Sequence, residues 1–401
     1  MKKTIAVLSL ALIISGFLRG QSTQVGQDLQ QNVITTAVPF LMIGPDARSG
    51  GMGELGAGTA PDANSQHWNP AKYPFMDKKV GFAVSYSPWL RKLVNDINLA
   101  YLPFYYKLDD KSAVSASLKY FSLGDITFTD AEGYGLGTYR PNEFSIDAGY
   151  SRKFSEKFSG AVTARFIRSD LTQGQTVQGQ TTKAGTSFAA DIAMYYRNEL
   201  NINWLESSEW SFGVVISNIG QKISYSNDDF NQDFIPTNLR IGPSWLLNID
   251  EYNSFRFSFE LDKLLVPTPP VYSQDSSGNI VILPDGSYDI AYGYPTDVSV
   301  VQGMIQSFYD APGGFSEEMK EIIWIVGAEY WYDKQFGIRA GYFHESEMKG
   351  NRKFFTLGLG LRYNVFGLDF SYLIPTEQQN PLQNTLRFTL TFNFDSFQSS
   401  E

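Results

Sequence analysis

The feature that most constrains the fold is a strict alternation of apolar and polar side chains near the end of the chain. Within the segment 383–394, every second residue from Leu386 to Phe394 is Leu or Phe, and the residues between them are Arg, Thr or Asn. Successive side chains of a strand point to opposite faces, so this segment has one apolar and one polar face. The apolar face would meet a second sheet in a soluble sandwich and lipid in a membrane barrel.

The same alternation recurs from Lys79 onward. It marks 14 segments, an even number, as a closed antiparallel bacterial barrel requires. The predicted strands are 79–87, 97–106, 114–120, 144–150, 158–166, 188–196, 210–216, 239–245, 255–261, 322–332, 336–342, 355–363, 366–374 and 383–394.

The lengths of the connections test this prediction independently. If the first strand runs outward, the periplasmic returns at 109–110, 152–157, 249–253, 333–334 and 364 are all short. The extracellular links at 122–141, 171–183, 218–236 and 265–320 are all long, and only 197–209 departs from the rule. This difference is typical of outer-membrane barrels and has no cause in a soluble sandwich. The sequence therefore predicts an all-β, 14-stranded antiparallel transmembrane β-barrel.

Composition agrees with an exported membrane protein. Two lysines followed by an apolar run over 5–18 predict a signal peptide at 1–20, and no later apolar run is long enough for a membrane helix. The chain has no cysteine, which excludes disulfides and a lipid-anchoring thiol. Its net charge of -10 argues against nucleic-acid binding. The predicted organisation is a plug or hatch at 21–77, a barrel at 78–395 and a tail at 396–401.

Glycine and proline residues rule out a regular strand over 44–71. A barrel of about 14 strands is wider than side chains alone can fill, so we expect this N-terminal segment to lie inside the lumen. That location would bury its large apolar residues, which are Phe40, Ile43, Met52, Leu55 and Trp68.

Charged residues occupy the lumen-facing positions of many predicted strands. On the lipid face each would cost roughly 2 to 4 kcal/mol at mid-depth. Both signs are present, which predicts an interior of ion-paired or hydrated side chains. The positions are Lys119, Asp147, Arg165, Asp191, Arg256, Glu260, Glu329, Arg339, Arg362, Asp369 and Arg387.

No motif predicts a catalytic, cofactor or metal site. The glycine pattern at 51–56 matches a dinucleotide-binding loop, but no helix can follow it, so a glycine turn packed against the barrel wall is favoured. The segment 227–238 lacks the glycine and final glutamate of a calcium loop. His344 and Glu345 suggest a lipid hydrolase, but adjacent strand residues point to opposite faces.

The longest link, 265–320, carries seven acidic residues and one base. The acidic residues are Asp275, Asp285, Asp289, Asp297, Asp310, Glu317 and Glu318, and the base is Lys320. The interspersed aromatic residues are Tyr272, Tyr288, Tyr292, Tyr294, Phe308, Tyr309 and Phe315. Such a loop is either a solvated lid or a partner-binding surface with aromatic anchors inside an acidic rim. We expect the second.

The hatch segment resembles the N-terminal signature of the PorV/PorQ group, which is related to the 14-stranded FadL-type barrels. The similarity runs over the whole mature chain and is strongest to PorV-like members in the leader 24–45 and the last strand. The matching hatch residues include Asp46, Arg48, Gly51, Met52, Gly53, Asp62, Asn69 and Pro70.

The resemblance implies an outer-membrane component of the type IX secretion system. Such proteins bind the C-terminal domain of exported cargo, receive it from the translocon barrel and carry it to the sortase attachment complex. It implies contact with outer-membrane lipid, no cofactor and no enzyme activity. The alternatives are FadL-type uptake of hydrophobic small molecules, with Pro103 and Pro243 as strand kinks, and an outer-membrane lipid deacylase.

Overall fold

The computed structural model describes residues 32–90, 96–129, 134–174, 176–177, 180–226, 232–377, 382–383 and 385–395. The predicted signal peptide and tail lie outside these residues, as does 227–231. Fourteen strands form the wall of a closed barrel. They are β1 Val80–Pro88, β2 Asn98–Lys107, β3 Ser112–Ser122, β4 Asn142–Lys153, β5 Phe158–Asp170, β6 Gly185–Leu200, β7 Ser207–Gly220, β8 Asn238–Asn248, β9 Asn253–Leu264, β10 Ile323–Tyr332, β11 Phe336–His344, β12 Lys353–Tyr363, β13 Phe366–Pro375 and β14 Leu386–Phe394.

Each strand pairs antiparallel with its sequence neighbours, and the last strand closes the barrel. β14 pairs with β1 from Phe394 opposite Val80 to Phe388 opposite Tyr86. The predicted 14-stranded antiparallel barrel is confirmed. Most strands run a few residues beyond their predicted ends, because the apolar rhythm fades at the bilayer surface while backbone pairing continues.

The predicted exception in the connection lengths was wrong. β6 continues to Leu200 and β7 begins at Ser207, so their turn covers only 201–206. The polar residues that end these strands had suggested a longer loop. With this correction the connections on one end of the barrel are all short, and we refer to this end as periplasmic and to the opposite end as extracellular.

Shorter elements lie in the long loops and in the N-terminal segment. No helix in the described part of the chain is long and apolar enough to cross a membrane. Small hairpins join Ile126–Thr129 to Gly135–Tyr139, Thr176–Val177 to Gln180–Thr181, and Val271–Tyr272 to Ile290–Tyr292. Helical turns are Pro39–Met42, Ala47–Gly50, Ser65–Trp68, Pro70–Phe75, Val300–Gln306, Phe315–Glu318 and Met319–Glu321.

Burial follows the predicted alternation. Val162 and Phe188 face outward and are 59% and 64% exposed, whereas Thr163 and Thr389 face the lumen and are fully buried. An apolar belt of this kind suits lipid, and the polar face suits an interior that contains other polar groups.

The described N-terminal residues pass through the lumen from the extracellular end to the periplasmic end. Near the extracellular end, Lys119 of β3 donates to the carbonyl oxygen of Leu41 at 3.1 Å. Near the periplasmic end, Ser159 of β5 donates to the carbonyl oxygen of Ala71 at 2.5 Å. Phe40 at the top of this path is 1% exposed. The side chains of Met52, Leu55 and Trp68 are also 1% exposed.

One predicted core residue of this segment is less buried than expected. Ile43 is only partly buried and packs at the margin of the apolar cluster that surrounds Phe40. The chain turns from a 3-10 helix into extended backbone at Ile43, which is the C-cap of Pro39–Met42. Its side chain therefore lies beside the cluster rather than within it.

Glycines let the hatch segment approach the wall closely. A Cβ on Gly213 of β7 would overlap the carbonyl of Ala57, and one on Gly341 of β11 would overlap the backbone of Gly53. Gly53 also has a φ of 81°, which favours glycine. The glycine pattern at 51–56 is thus a turn packed against barrel wall.

Candidate functional site

A chain of alternating charges joins the hatch segment to the barrel wall. Arg48 donates to both carboxylate oxygens of Glu329 at 3.0 Å and to Asp62 at 2.9 Å. Arg339 continues the chain, donating to Glu329 and to Asp369 at 2.8 Å each. Most of these groups are buried, so each charge depends on its partners rather than on water.

Asp369 extends this network to the periplasmic end. Its second carboxylate oxygen accepts from Arg362 at 2.8 Å, and the Arg362 side chain is 28% exposed. A cavity of about 220 Å³ lies here, lined by Arg48, Asp62 and Arg362 together with Trp331. The predicted ion pairing of lumen charges is therefore present along this side of the barrel.

Other hatch-signature residues shape the segment itself. Asp46 accepts from the indole N–H of Trp68 at 2.5 Å and from the backbone N–H of Ser49 at 2.9 Å. Asn69 donates to the carbonyls of Ala57 and, across to β6, Met194, at 2.8 and 3.0 Å. Pro70 starts the 3-10 helix Pro70–Phe75, and Gly51 and Met52 lie in the buried turn. These contacts describe packing within the lumen, and the role of these residues as a plug or hatch motif stays a prediction.

A second charged network lies opposite the first. Arg165 of β5 donates to Asp147 of β4 at 2.8 Å and to Asp191 of β6 at 2.9 Å. The carboxylate of Glu260 in β9 accepts from the backbone N–H groups of Gly56 and Ala57 at 2.8 and 2.7 Å. Charged wall residues thus hold one another and also hold the hatch backbone.

The apolar top of the lumen is occupied by the chain itself. Val38, Phe40 and Leu41 pack against wall residues such as Phe121, whose ring stacks on Phe40 with centroids 6.4 Å apart. Val38 has a φ of 47°, an uncommon conformation for a β-branched residue. The apolar top of the lumen is therefore filled by residues of the N-terminal segment.

Three acidic residues of the long loop are buried and so do not belong to the predicted acidic rim around the aromatic anchors; they are Asp310, Glu317 and Glu318. Glu317 accepts from Lys349 at 2.5 Å, and Glu318 accepts from Lys263 at 3.2 Å. Glu321, one residue beyond the predicted loop, accepts from both lysines at 2.9 and 2.6 Å. The two lysines reach into the loop from β9 and from the 345–352 connection, so these acids hold the loop on the barrel mouth.

Asp310 is the remaining buried acid within 265–320. It accepts from the backbone N–H of Thr268 at 3.1 Å and from Gln306 at 3.3 Å. Burial, with Glu318 and Glu321 nearby, raises the pKa of Asp310 to about 6. Burial alone would raise the pKa of Glu317 too, but Lys349 holds it below its usual range.

No sequence motif marks Lys263 and Lys349 as loop anchors. Lys263 lies near the end of β9 and Lys349 lies in the 345–352 connection. Their shared partner, Glu321, is 58 residues from Lys263 and 28 residues from Lys349 in sequence. The signal that existed was the scarcity of basic residues within the loop, where Lys320 alone accompanies seven acids, so that its buried acids must find cations elsewhere.

The predicted aromatic residues of the loop lie on its outer surface. Phe315 is 80% exposed, and Tyr288, Tyr292, Tyr294, Phe308 and Tyr309 are each about half exposed. Tyr272 is half-buried against the ring of Tyr288, and Tyr294 packs edge-on against Tyr309. The structure pairs these rings, and their contact with a partner stays a prediction.

The N-terminal segment also contacts this loop. Asn32 donates from its side chain to the carbonyl of Pro269 and to Glu317, both at 3.1 Å. Its backbone N–H donates to the carbonyl of Met348 at 3.0 Å. The segment is thus fixed at the extracellular mouth as well as inside the lumen.

The residues considered for lipid hydrolysis are arranged for other contacts. The His344 ring stacks on Trp324 and its Nδ1 lies 3.2 Å from the hydroxyl of Tyr342. Glu345 accepts two hydrogen bonds from the Arg352 guanidinium at 2.8 Å. His344 and Glu345 therefore do not form a base and its orienting acid.

Comparison with known families decides where the chain belongs. The family model for the type IX secretion system protein PorV matches residues 26–271. The chain belongs to the PorV family. The comparison with curated proteins gives no significant match. PorV membership places the chain in the outer membrane and among transport proteins rather than known enzymes.

Solved structures that resemble this PorV-family chain include FadL-type barrels. The toluene transporter TbuX of Ralstonia pickettii is 13% identical, with 88% of this chain and 98% of that chain covered and a TM-score of 0.42. The toluene transporter TodX of Pseudomonas putida is 11% identical, with 88% and 99% covered and a TM-score of 0.47. A FadL homologue of Pseudomonas aeruginosa is 11% identical, with 91% and 100% covered and a TM-score of 0.41.

Proposed function

We propose that this PorV-family protein binds the C-terminal domain of exported cargo at the translocon and delivers it to the sortase attachment complex. The observation that carries the proposal is the match of residues 26–271 to a type IX secretion protein. The cargo-binding surface is the outer face of the loop 265–320, where the aromatic side chains are exposed. Aromatic residues are the commonest anchors of protein interfaces.

The interior supports a binding role at the surface rather than conduction. The hatch segment is joined to wall residues by buried ion pairs and by backbone hydrogen bonds to Glu260. The apolar chamber at the top contains Phe40 and Leu41. A protein that carries cargo outside the membrane needs no path through its own barrel.

The proposal is tested by binding in solution. The full chain, purified in detergent, is immobilised, and a purified C-terminal domain of a type IX cargo protein is passed over it. We expect retention by the wild type and loss of retention when 271–309 is replaced by a glycine-serine linker, which leaves Asp310 and the buried Glu317 in place. A matched control replaces the 124–140 loop. Undiminished retention by the first variant, or no retention by the wild type, contradicts the proposal.

FadL-type uptake is the second candidate, and one observation favours it. Backbone pairing between β1 and β2 is interrupted beside Pro103, and pairing between β8 and β9 is interrupted at Gly242 and Pro243. Proline lacks the N–H that the ladder needs, so these are weak places in the wall. Co-purification of a hydrophobic small molecule with the chain, in place of cargo binding, would favour uptake.

A further inference from the structure

The long extracellular loop contains a small, self-supporting β-structure, which we call the knob and define as residues 271–292. Its three segments pair with one another in a ring. The backbone N–H of Ser273 donates to the carbonyl oxygen of Asp289 at 2.9 Å, and the N–H of Asp289 donates to the carbonyl oxygen of Val281 at 3.0 Å. The N–H of Val281 donates to the carbonyl oxygen of Ser273 at 2.9 Å, which closes the ring. Each segment therefore supports the other two, so the knob does not rely on a neighbouring sheet.

The two turns that close the hairpins of the knob are fixed by acidic side chains. Asp275 accepts from the backbone N–H groups of Ser277 and Asn279 at 2.8 and 2.9 Å. Asp285 accepts from the backbone and hydroxyl of Ser287 at 2.9 and 2.6 Å. Such Asx turns hold a loop in one conformation and lower the entropy that binding would otherwise cost.

Both turns of the knob are open to solvent. Gly278 and Gly286 occupy the two turns with φ of 85° and 86°, and a Cβ added to either would meet nothing within 4 Å. The knob is therefore an accessible projection above the barrel mouth.

Aliphatic side chains cover the middle segment of the knob. Ile280, Ile282 and Leu283 are 44%, 63% and 39% exposed, and Tyr288 beside them is 54% exposed. The ion pairs that hold the loop on the barrel mouth come from its buried acids and do not involve these exposed isoleucines. Exposed apolar side chains grouped on one ordered segment are typical of a protein-binding site.

The charge around these side chains has one sign. No lysine or arginine occurs between Leu265 and Met319. Backbone hydrogen bonds from Asn279 hold the pKa of Asp275 below its usual range, and hydrogen bonds from Ser287 do the same for Asp285. Both carboxylates are exposed and charged at neutral pH, so the apolar middle segment is bordered by negative charge.

We infer that the knob inserts Ile280, Ile282 and Leu283 into an apolar cleft of a folded exported domain, and that lysine or arginine side chains border that cleft. The inference rests on the proposed function and specifies which part of the loop and what partner chemistry it uses. The apolar contacts supply affinity, and the opposite charges speed association and orient the two proteins. The aromatic residues elsewhere in the loop form the surrounding contact.

The test compares two variants of the same loop, using a purified C-terminal domain of a type IX cargo protein as the probe. The first replaces Ile280, Ile282 and Leu283 with serine. The matched control is Val301→Ser with Ile305→Ser, two side chains 65% and 60% exposed on the helix Val300–Gln306. We expect the first to weaken binding by roughly tenfold or more, as for interface hot spots, and the control to change it less than about twofold.

A charge variant tests the second half of the inference. Asp275→Asn with Asp285→Asn keeps an oxygen acceptor for each turn and all the aliphatic side chains. We expect weaker binding at 50 mM NaCl and a smaller loss of binding between 50 and 500 mM NaCl than in the wild type, because salt screens exposed charges. An unchanged salt response would overturn the charged border.

Two results separate failure of the knob from failure of the function. If wild-type chain does not retain the probe, the proposed function fails and the inference fails with it. If wild type and the triple serine variant retain the probe equally, or if the helix control is equally weakened, only the inference fails. Dimerisation of the wild type through the knob, abolished by the serine changes, would also overturn it. Trypsin resistance of the detergent-purified barrel confirms that each variant is folded.

Discussion

Replacing Arg48 with Met tests whether buried ion pairs hold the hatch segment in the lumen. Arg48 is 6% exposed and donates to Glu329 twice, to Asp62 once and to the carbonyl of Ala60. Removing one member of a buried ion pair costs about 3–5 kcal/mol, because the remaining charge is left without compensation. We expect Arg48→Met to lower the free energy of unfolding by that amount.

The assay is equilibrium urea unfolding of the full chain in phospholipid vesicles, followed by tryptophan fluorescence. Arg362→Met is the matched control, since Arg362 pairs with Asp369 in the same network but its side chain is 28% exposed. Partly exposed pairs contribute about 1 kcal/mol or less, so the control should lose little stability.

A double variant separates lost pairing from lost packing. Arg48→Met with Asp62→Asn removes the Asp62 charge, which the single change leaves without its arginine partner. Glu329 keeps its hydrogen bond from Arg339 at 2.8 Å. We expect the double variant to recover part of the lost stability. An Arg48→Met chain that unfolds like the wild type, or a double variant less stable than the single one, would refute the reasoning.

Three further predictions follow from burial, close backbone approach and charge. Phe40→Ala should lower the free energy of unfolding by about 3–5 kcal/mol, whereas Phe154→Ala, at a site 68% exposed, should change it by about 0.5 kcal/mol or less in the same urea assay. Gly213→Ala should reduce the yield of trypsin-resistant barrel, because its Cβ would overlap hatch backbone, while Gly135→Ala, with its nearest neighbour at 4.0 Å, should not. The raised pKa of Asp310, about 6, means that protonation favours the folded loop. Opening of the loop, followed by backbone hydrogen exchange over 300–306 and corrected for the intrinsic pH dependence of exchange, should therefore slow roughly two- to fourfold from pH 7.5 to 5.5, with no such change in Asp310→Asn.

The barrel could be predicted from sequence because its signal is local and repeated. Each strand shows its two faces within about ten residues. The alternation of short and long connections is a second, independent indication of the number of strands. The error at the β6–β7 turn arose where both signals weaken together. Beyond Tyr196 the side chains become polar, yet the backbone pairs as far as Leu200 opposite Ser208.

The pairing inside the lumen could not be predicted in the same way. Alternation places Glu329 and Arg339 on the inner face, but it does not say which other inward residue lies across the lumen. Arg48 and Glu329 are 281 residues apart in sequence. The same limit applies to the long loop, where the sequence pattern predicts Glu317 and Glu318 to be surface charges. Only their position against Lys349 and Lys263 shows them to be internal.

The energy needed to empty the lumen separates the two candidate functions. Exposing Val38, Phe40 and Leu41, each at most 4% exposed now, would cost roughly 1.5–3 kcal/mol per side chain. Breaking the Arg48 pairs would add about 3–5 kcal/mol, for a total on the order of 8–14 kcal/mol. A small hydrophobic ligand that binds with micromolar affinity supplies only about 8 kcal/mol. Uptake therefore requires a smaller movement than removal of the hatch, such as a break in the wall near Pro243, whereas cargo binding at the extracellular surface requires none.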